Sequence, residues 1–385
     1  MKKGRNLRSV NTDGGVNLQF KLLSAIGIII IVSGHCYHGG MELAYNWFPP
    51  YSYNLALFVF ISGYFYKTDY EENIGKYIWK RTKRLLIPAY LWNIFYGGMV
   101  AFLGLFGFTI GAKPDLYNLF VMPFVDGEAF QYNLGSWFVY PLFLVCIINV
   151  LFRKFLKLIH LDNEFIVLIV YLTIGMIGIN TALENPTAIN GIVKLLVRTM
   201  FFLPCYEFGR FYKAVLEKKD TLNNVAYFAI IFAVQLILLT FCKDLEYTPS
   251  SFTKFNNGFI IPYISSITAI AFWLRVSRLF VPAIGNSKLV RLIADNTYGI
   301  MVNQLVGFMC LKFVFYGLSL ITSGSLFGDF NVASFKSSIW YYYLPNGLQQ
   351  WAFVYLIFGL FVPILISIIL NKICHIAHSS IFKKV

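Results

Sequence analysis

Residues 19–38 read QFKLLSAIGIIIIVSGHCYH, and this stretch decides the fold of the chain. No side chain between Leu22 and Gly34 is charged, and an α-helix needs about 20 mostly apolar residues to cross the hydrocarbon core of a bilayer. The rest of the chain has the same character, since 58% of its 385 residues are hydrophobic and 13% are charged. Soluble domains are about 25% charged, so a soluble enzyme is excluded, and the apolar content also excludes a disordered chain.

Nine further apolar runs follow the first one. Together with 19–38 they predict an all-α fold, a polytopic membrane helix bundle of about ten transmembrane helices. We expect a single membrane domain over 19–372, preceded by a basic tail at 1–18 and followed by a short tail at 373–385. The nine runs cover residues 53–66, 85–107, 134–152, 164–181, 191–211, 224–242, 258–274, 297–316 and 348–371.

The Lys and Arg residues predict how these helices are oriented. If the N-terminus is cytoplasmic, 25 of the 32 basic residues fall in cytoplasmic segments. Cytoplasmic loops carry the excess of Lys and Arg, so both termini are expected in the cytoplasm. The net charge of +14 does not indicate a nucleic-acid partner, because the basic residues lie between hydrophobic runs rather than on one soluble face. The other seven are Lys113, Lys194, Arg198, Lys243, Lys254, Lys312 and Lys336.

Three long segments, 39–52, 108–133 and 317–347, are then exterior. They contain Trp and Tyr residues, including Trp340 and the run at 341–343. Such residues anchor membrane proteins at the headgroup level, and the same composition suits a surface on which sugars stack. The sequence leaves both interpretations open.

His35 is the strongest candidate for chemistry. It lies about 24 Å along a helix from Gln19, which puts it in the outer half of the bilayer. An ionisable side chain at that depth faces a bundle interior or a cavity, and imidazole can take a proton from a hydroxyl near neutral pH. A neutral His bonded to a neighbouring helix is the alternative. His38 is expected at the outer interface, and a metal site is not predicted because a His35–His38 pair lacks carboxylate or cysteine partners.

A second candidate site is the basic segment KRTKRLLIP at 80–88. Arg81 and Arg84 are three residues apart and share a helix face, where two planar guanidiniums could bind phosphates bidentately. The alternative is an ordinary cytoplasmic cluster that contacts anionic lipid.

Four segments, in this order, resemble the membrane acyltransferase 3 family, the ten-helix enzymes that acylate sugars of bacterial surface and secreted glycans. They are Gly34-His35, LFVFISGY at 57–64, RTKRLLIP at 81–88 and GSWF at 135–138, and NTYGIMVN at 296–303 is similar to a late family segment. Two positions depart from the family pattern. Ser24 stands where the family usually has Arg or Lys, with Lys21 one turn further back, and Asn303 stands where it commonly has His.

The resemblance implies an acyl-CoA donor, most often acetyl-CoA, and a glycan or lipid-linked sugar as acceptor in the bacterial cytoplasmic membrane. It implies that His35 is the base or a transient acyl carrier, and that Arg81, Arg84 and Lys21 bind the donor. A non-enzymatic carrier or flippase for a lipid-linked sugar is the competing class, although it would not need an Arg pair together with a deep His. Weaker substrate-site candidates are Asp126, Glu128, Trp137, Arg198 and Asn303.

Two pairings are also expected from the charged residues of the sixth predicted span. Arg198 is expected to pair with an exterior acid such as Asp126 or Glu128. Glu207 and Arg210 are three residues apart and are expected to form a local ion pair. Ser62 is expected to serve packing rather than nucleophilic attack, because no base is adjacent to it in sequence.

The orientation can be tested with reporter fusions at residues 45, 120 and 330. All three are expected to report an exterior position, because they lie in segments poor in Lys and Arg. A fusion after Val385 is the cytoplasmic control. A cytoplasmic signal at any of the three positions would contradict the assignment.

Overall fold

The computed structural model describes residues 12–13, 15–37, 41, 47–127, 129–322 and 329–382, with side chains up to residue 373. It begins with a two-stranded antiparallel hairpin, β1 (Thr12–Asp13) and β2 (Val16–Asn17). Everything longer is helical.

Eleven helices of eight or more residues are present in the described ranges. They are α1 (Leu18–His35), α2 (Asn54–Tyr64), α3 (Ile74–Gly104), α4 (Gln131–Leu158), α5 (Glu164–Glu184), α6 (Gly191–Phe211), α7 (Asn224–Phe241), α8 (Ile261–Ile284), α9 (Lys288–Asp295), α10 (Thr297–Ile321) and α11 (Trp351–Phe382).

Shorter helical turns lie between these helices. They are Pro50–Ser52, Thr68–Glu71, Tyr117–Val121, Met122–Val125, Pro186–Ala188, Tyr212–Leu216, Val332–Ser337 and Pro345–Gly347.

The predicted all-α membrane bundle is confirmed. Eight of the helices are long and apolar enough to cross a membrane. The other two predicted spans correspond to α2, which is apolar but has only 11 residues, and to α6, which carries Lys194, Arg198, Glu207 and Arg210. The amphipathic α9 was not predicted, because eight residues are too few for a span.

Several helix ends differ from the apolar runs. α1 ends at His35 rather than at residue 38, and His38 lies outside the described residues. α8 continues to Ile284, ten residues past the predicted end. Arg275 and Arg278, which mark the predicted end, lie within the helix because both pair with Asp220. α11 likewise extends to Phe382 and includes most of the segment predicted as a C-terminal tail.

The first helix is the centre of the bundle. α1 contacts α2, α8, α9, α10 and α11, and 67% of it is buried inside the protein, compared with 11% of α7. Its start is fixed by Asn17, whose side chain accepts a hydrogen bond of 3.1 Å from the Phe20 amide, as N-cap residues do. A residue on α1 is therefore surrounded by protein rather than by lipid.

Helices α2 and α6 approach each other through two glycines. Gly63 of α2 lies against the carbonyl of Tyr206, and Gly209 of α6 lies against the carbonyl of Phe60. A Cβ atom at either position would overlap those carbonyls. Small residues are what allow helix backbones to come this close in membranes, so Gly63 and Gly209 serve helix packing here.

Buried charges join α4, α5 and α6 near the end of the bundle that is predicted to be cytoplasmic. Arg153 Nη2 contacts Glu207 and Glu164, each at 2.7 Å, and Arg210 contacts Glu164 at 3.0 Å. The predicted local pair of Glu207 with Arg210 is therefore wrong. Glu207 is fully buried, and Arg153 reaches it from the facing helix, because a buried carboxylate requires a partner that is equally buried.

Candidate functional site

His35 is the last residue of α1, at the end of the bundle predicted to be exterior. The last carbonyls of an α-helix have no partner within the helix, and here two tyrosine side chains supply the donors. Tyr51 Oη donates to the carbonyl of Gly34 at 2.9 Å, and Tyr342 Oη donates to the carbonyl of His35. Burial raises the pKa of Tyr51 to about 12, so its hydroxyl remains a donor at neutral pH.

A cavity of about 60 Å³ adjoins the His35 side chain. His35 itself is half-buried, and its Nδ1 atom is buried without a hydrogen bond of good geometry among the described residues, although the ring interacts with the Gln304 side chain and the Ile31 backbone. Oε1 of Gln304, in the same cavity wall, also lacks a described partner. Unpaired buried polar atoms are rare in folded proteins and suggest a position where a ligand group binds. The polar lining residues besides these two are Tyr51, Asn54, Thr248 and Ser250.

A second cavity, of about 200 Å³, continues along α1 towards the opposite end of the bundle. Ser24 and Ile28 of α1 line it, and so does Leu85, which directly follows Arg84. The two cavities share three wall residues, Ile31, Phe138 and Met301. A mainly apolar cavity that reaches Leu85 therefore adjoins the more polar cavity at His35.

The predicted donor-binding residues occupy different environments. Arg84 is exposed, whereas Arg81 is half-buried, with its guanidinium carbon 5.1 Å from the centre of the Tyr77 ring. Residues Thr82–Leu86, which include Arg84, form a π-helical turn within α3, and such a turn changes the helical repeat. The shared face of Arg81 and Arg84 stays a prediction. Lys21, on the first turn of α1, pairs with Asp295 at the end of α9.

Arg198 contacts Asp126, but through the main chain. Its guanidinium donates to the carbonyls of Asp126 at 2.9 Å, Pro249 at 3.3 Å and Ser250, while the Asp126 carboxylate pairs with Lys194. The guanidinium carbon also lies 4.6 Å from the centre of the Trp137 ring. Since Trp137, Pro249 and Ser250 all line the His35 cavity, Arg198 holds its wall. Glu128 lies outside the described residues.

The structure places Asn303 in the contact between α3 and α10. Its Nδ2 donates to the Gly299 carbonyl at 2.9 Å, and its Oδ1 accepts from Tyr96. The next residue, Gln304, lines the cavity instead. Gln304 was not predicted, although a polar side chain within a predicted span was a usable signal. Tyr51 and Tyr342 were predicted as exterior aromatic residues, but their hydrogen bonds to the end of α1 were not, because no spacing connects them to His35.

The fold and site define a polytopic membrane protein with a half-buried imidazole in the wall of an outer cavity that adjoins a mainly apolar inner one. Comparison with protein families gives a match over residues 17–372 to the acyltransferase 3 family, described as "Acyltransferase domain". The chain belongs to this family and is a membrane acyltransferase. Comparisons with curated proteins and with solved structures gave no match. The family favours the enzyme over the carrier or flippase.

Replacing Arg198 by Gln is expected to loosen the loop between α7 and α8. Buried carbonyls that lose their donors cost about 1–3 kcal/mol each, and about 1.4 kcal/mol corresponds to a tenfold change in an opening equilibrium. Limited proteolysis within residues 243–258 should therefore become at least about 10-fold faster, since cleavage follows the open population. Lys254→Gln, which removes an exposed charge from the same loop, should leave the rate unchanged. Equal rates in both variants would show that Arg198 does not hold the loop.

Proposed function

We propose that the chain transfers an acyl group, in the simplest case acetyl, from acyl-CoA to a hydroxyl of a cell-surface or exported glycan. Its location would be the bacterial plasma membrane. The observation that carries this proposal is the pair of adjoining cavities, one lined by Leu85 of the basic segment at 80–88 and the other by His35. A carrier would need a path for its cargo but not an imidazole in the wall of that path.

The basic segment supports a donor that carries phosphates. Arg84 directly precedes Leu85, which lines the larger cavity, and Arg84, Lys80 and Lys83 are all exposed. Guanidinium groups bind phosphate bidentately, whereas an apolar cavity suits the uncharged arm that connects the nucleotide of CoA to its thioester. Tyr298 Oη lines this cavity and is buried without a described partner, so it can bond to an amide of that arm.

The chemistry at His35 is a direct transfer. The His35 imidazole accepts the proton of the acceptor hydroxyl while the hydroxyl oxygen forms a bond to the thioester carbon. The carbon–sulfur bond then breaks, and CoA leaves as a thiolate that takes up a proton. The side-chain amides of Asn54 and Gln304 in the cavity wall are candidates to donate to the oxyanion that develops on the carbonyl.

The aromatic residues around His35 support a sugar as acceptor. Tyr51 and Trp137 line its cavity, and the Trp340 ring centre lies 6.2 Å from that of His35. Aromatic faces pack against the apolar faces of sugar rings, while Thr248 and Ser250 in the same wall offer hydroxyl groups. A hydroxyl bound here would reach the imidazole from the predicted exterior side.

His35→Gln is expected to lower acyl transfer by at least about 100-fold, because a general base contributes about 10²–10⁴-fold. Gln keeps a similar size and a hydrogen bond but cannot accept a proton. The measurement is release of CoA from acetyl-CoA by purified protein with a glycan acceptor, detected with a thiol reagent. His38→Gln is the matched control and should lower acyl transfer only slightly. Wild-type turnover should fall at acid pH as the imidazole protonates. Activity retained in a folded His35→Gln protein would place the base elsewhere.

Arg81→Ala combined with Arg84→Ala is expected to weaken acetyl-CoA binding by at least about 10-fold, because charge-assisted hydrogen bonds contribute about 1.5–3 kcal/mol each. Arg84→Ala alone should show most of this loss, since Arg84 is exposed while Arg81 stacks on Tyr77. Replacement of both by Lys should restore binding only in part. Lys288→Ala, at an exposed position on α9, is the control. Unchanged affinity in the double Ala variant would assign the segment to membrane orientation alone.

A further inference from the structure

Two cavities of unequal size share three wall residues near His35. The outer one measures about 60 Å³ and the inner one about 200 Å³, and Ile31, Phe138 and Met301 line both. Resting on the proposed function, we propose that these three side chains form a filter that admits short acyl chains to His35 and excludes longer ones.

The volumes determine which acyl groups fit. A protein cavity of about 150 Å³ lined by aliphatic and aromatic side chains accommodates a benzene molecule. The inner cavity is larger than 150 Å³, so it can hold the arm of the donor. The outer cavity is less than half of 150 Å³. Once the arm fills the inner cavity, a six-carbon acyl chain has no apolar space left beside His35.

Two of the three shared residues, Ile31 and Phe138, are held by close packing. Ile31 is buried within α1, whose neighbours surround it on several sides. The Phe138 ring packs edge-on against Phe202, with ring centres 5.4 Å apart, and Phe138 itself is buried. Enlarging the outer cavity at either of these residues would require neighbouring helices to move, which close-packed interiors resist.

Met301 is the third shared residue, and its side chain can change conformation. Its backbone is fixed, because its carbonyl lies against Gly135 and accepts a hydrogen bond of 3.3 Å from Gln304 Nε2. Its side chain is only partly buried and has three rotatable bonds, so it can move aside while a thioester passes. Met301 therefore sets the size limit, and shortening it should merge the two cavities.

The test is equilibrium binding of CoA, acetyl-CoA, butyryl-CoA and hexanoyl-CoA to the purified full-length chain carrying His35→Gln, which prevents consumption of the donors. Hexanoyl-CoA should bind at least about 10-fold more weakly than acetyl-CoA, since forcing extra methylenes into a packed site costs about 1–3 kcal/mol. With Met301→Ala added, that difference should fall to within about threefold. Butyryl-CoA should lie between the two.

Two control variants make the result specific. Met301→Leu conserves volume and should keep the discrimination. Met309→Ala, which shortens a buried methionine about two turns further along α10, should also keep it, while matching any general loss of stability. Equal affinities for acetyl-CoA and hexanoyl-CoA, or discrimination that survives Met301→Ala, would overturn the filter and leave the proposed donor intact. Absence of binding by CoA and all its esters would contradict the proposed function, and the filter with it.

Discussion

The rest of the structure depends on how the buried end of α1 satisfies its backbone carbonyls. An unpaired carbonyl in an apolar environment costs several kcal/mol, and α1 ends inside the protein rather than in water. The carbonyls of Ser33, Gly34 and His35 accept from the Met41 amide, Tyr51 and Tyr342. These donors come from segments before α2 and before α11, so the same hydrogen bonds that end the helix also draw both segments over His35 and enclose its cavity.

Buried cations attach other segments to the same region. Arg198 and Lys312 belong to the seven basic residues that the positive-inside pattern leaves outside, and neither is exposed. Arg198 donates to the carbonyls of Pro249 and Ser250, and Lys312 donates to the carbonyl of Ile339 at 2.8 Å. A charge at such depth is tolerated only with polar partners. These cations therefore fix loops that would otherwise be free to move, including the segment that carries Tyr342.

Composition and apolar runs were sufficient to predict the helical bundle, because bilayer thickness constrains helix length directly. The same rule predicted that His35 lies near the end of the first helix. Pairwise contacts were not predictable in this way: sequence spacing suggested Glu207 with Arg210, but Arg153 on a facing helix binds Glu207. Spacing also assumes a regular α-helix, whereas Arg84 lies in the π-helical turn at Thr82–Leu86 and is exposed while Arg81 is half-buried. Asn303 was predicted at the substrate site, but it lies in a helix contact, and the next residue, Gln304, lines the cavity instead.

Ser24 stands where the family usually has Arg or Lys, so no basic side chain at this position can bind the phosphates of the donor in the proposed reaction. The Ser24 hydroxyl donates to the Phe20 carbonyl at 2.7 Å, so its polar atom is engaged, and the inner cavity is otherwise lined mainly by apolar side chains. Lys21, the nearest base, is paired with Asp295. Phosphates cannot enter an apolar space without a large loss of hydration, so in the proposed function they stay outside the cavity, at the exposed Arg84. The length of the donor's arm, rather than a charge inside the cavity, then determines how close the thioester comes to His35.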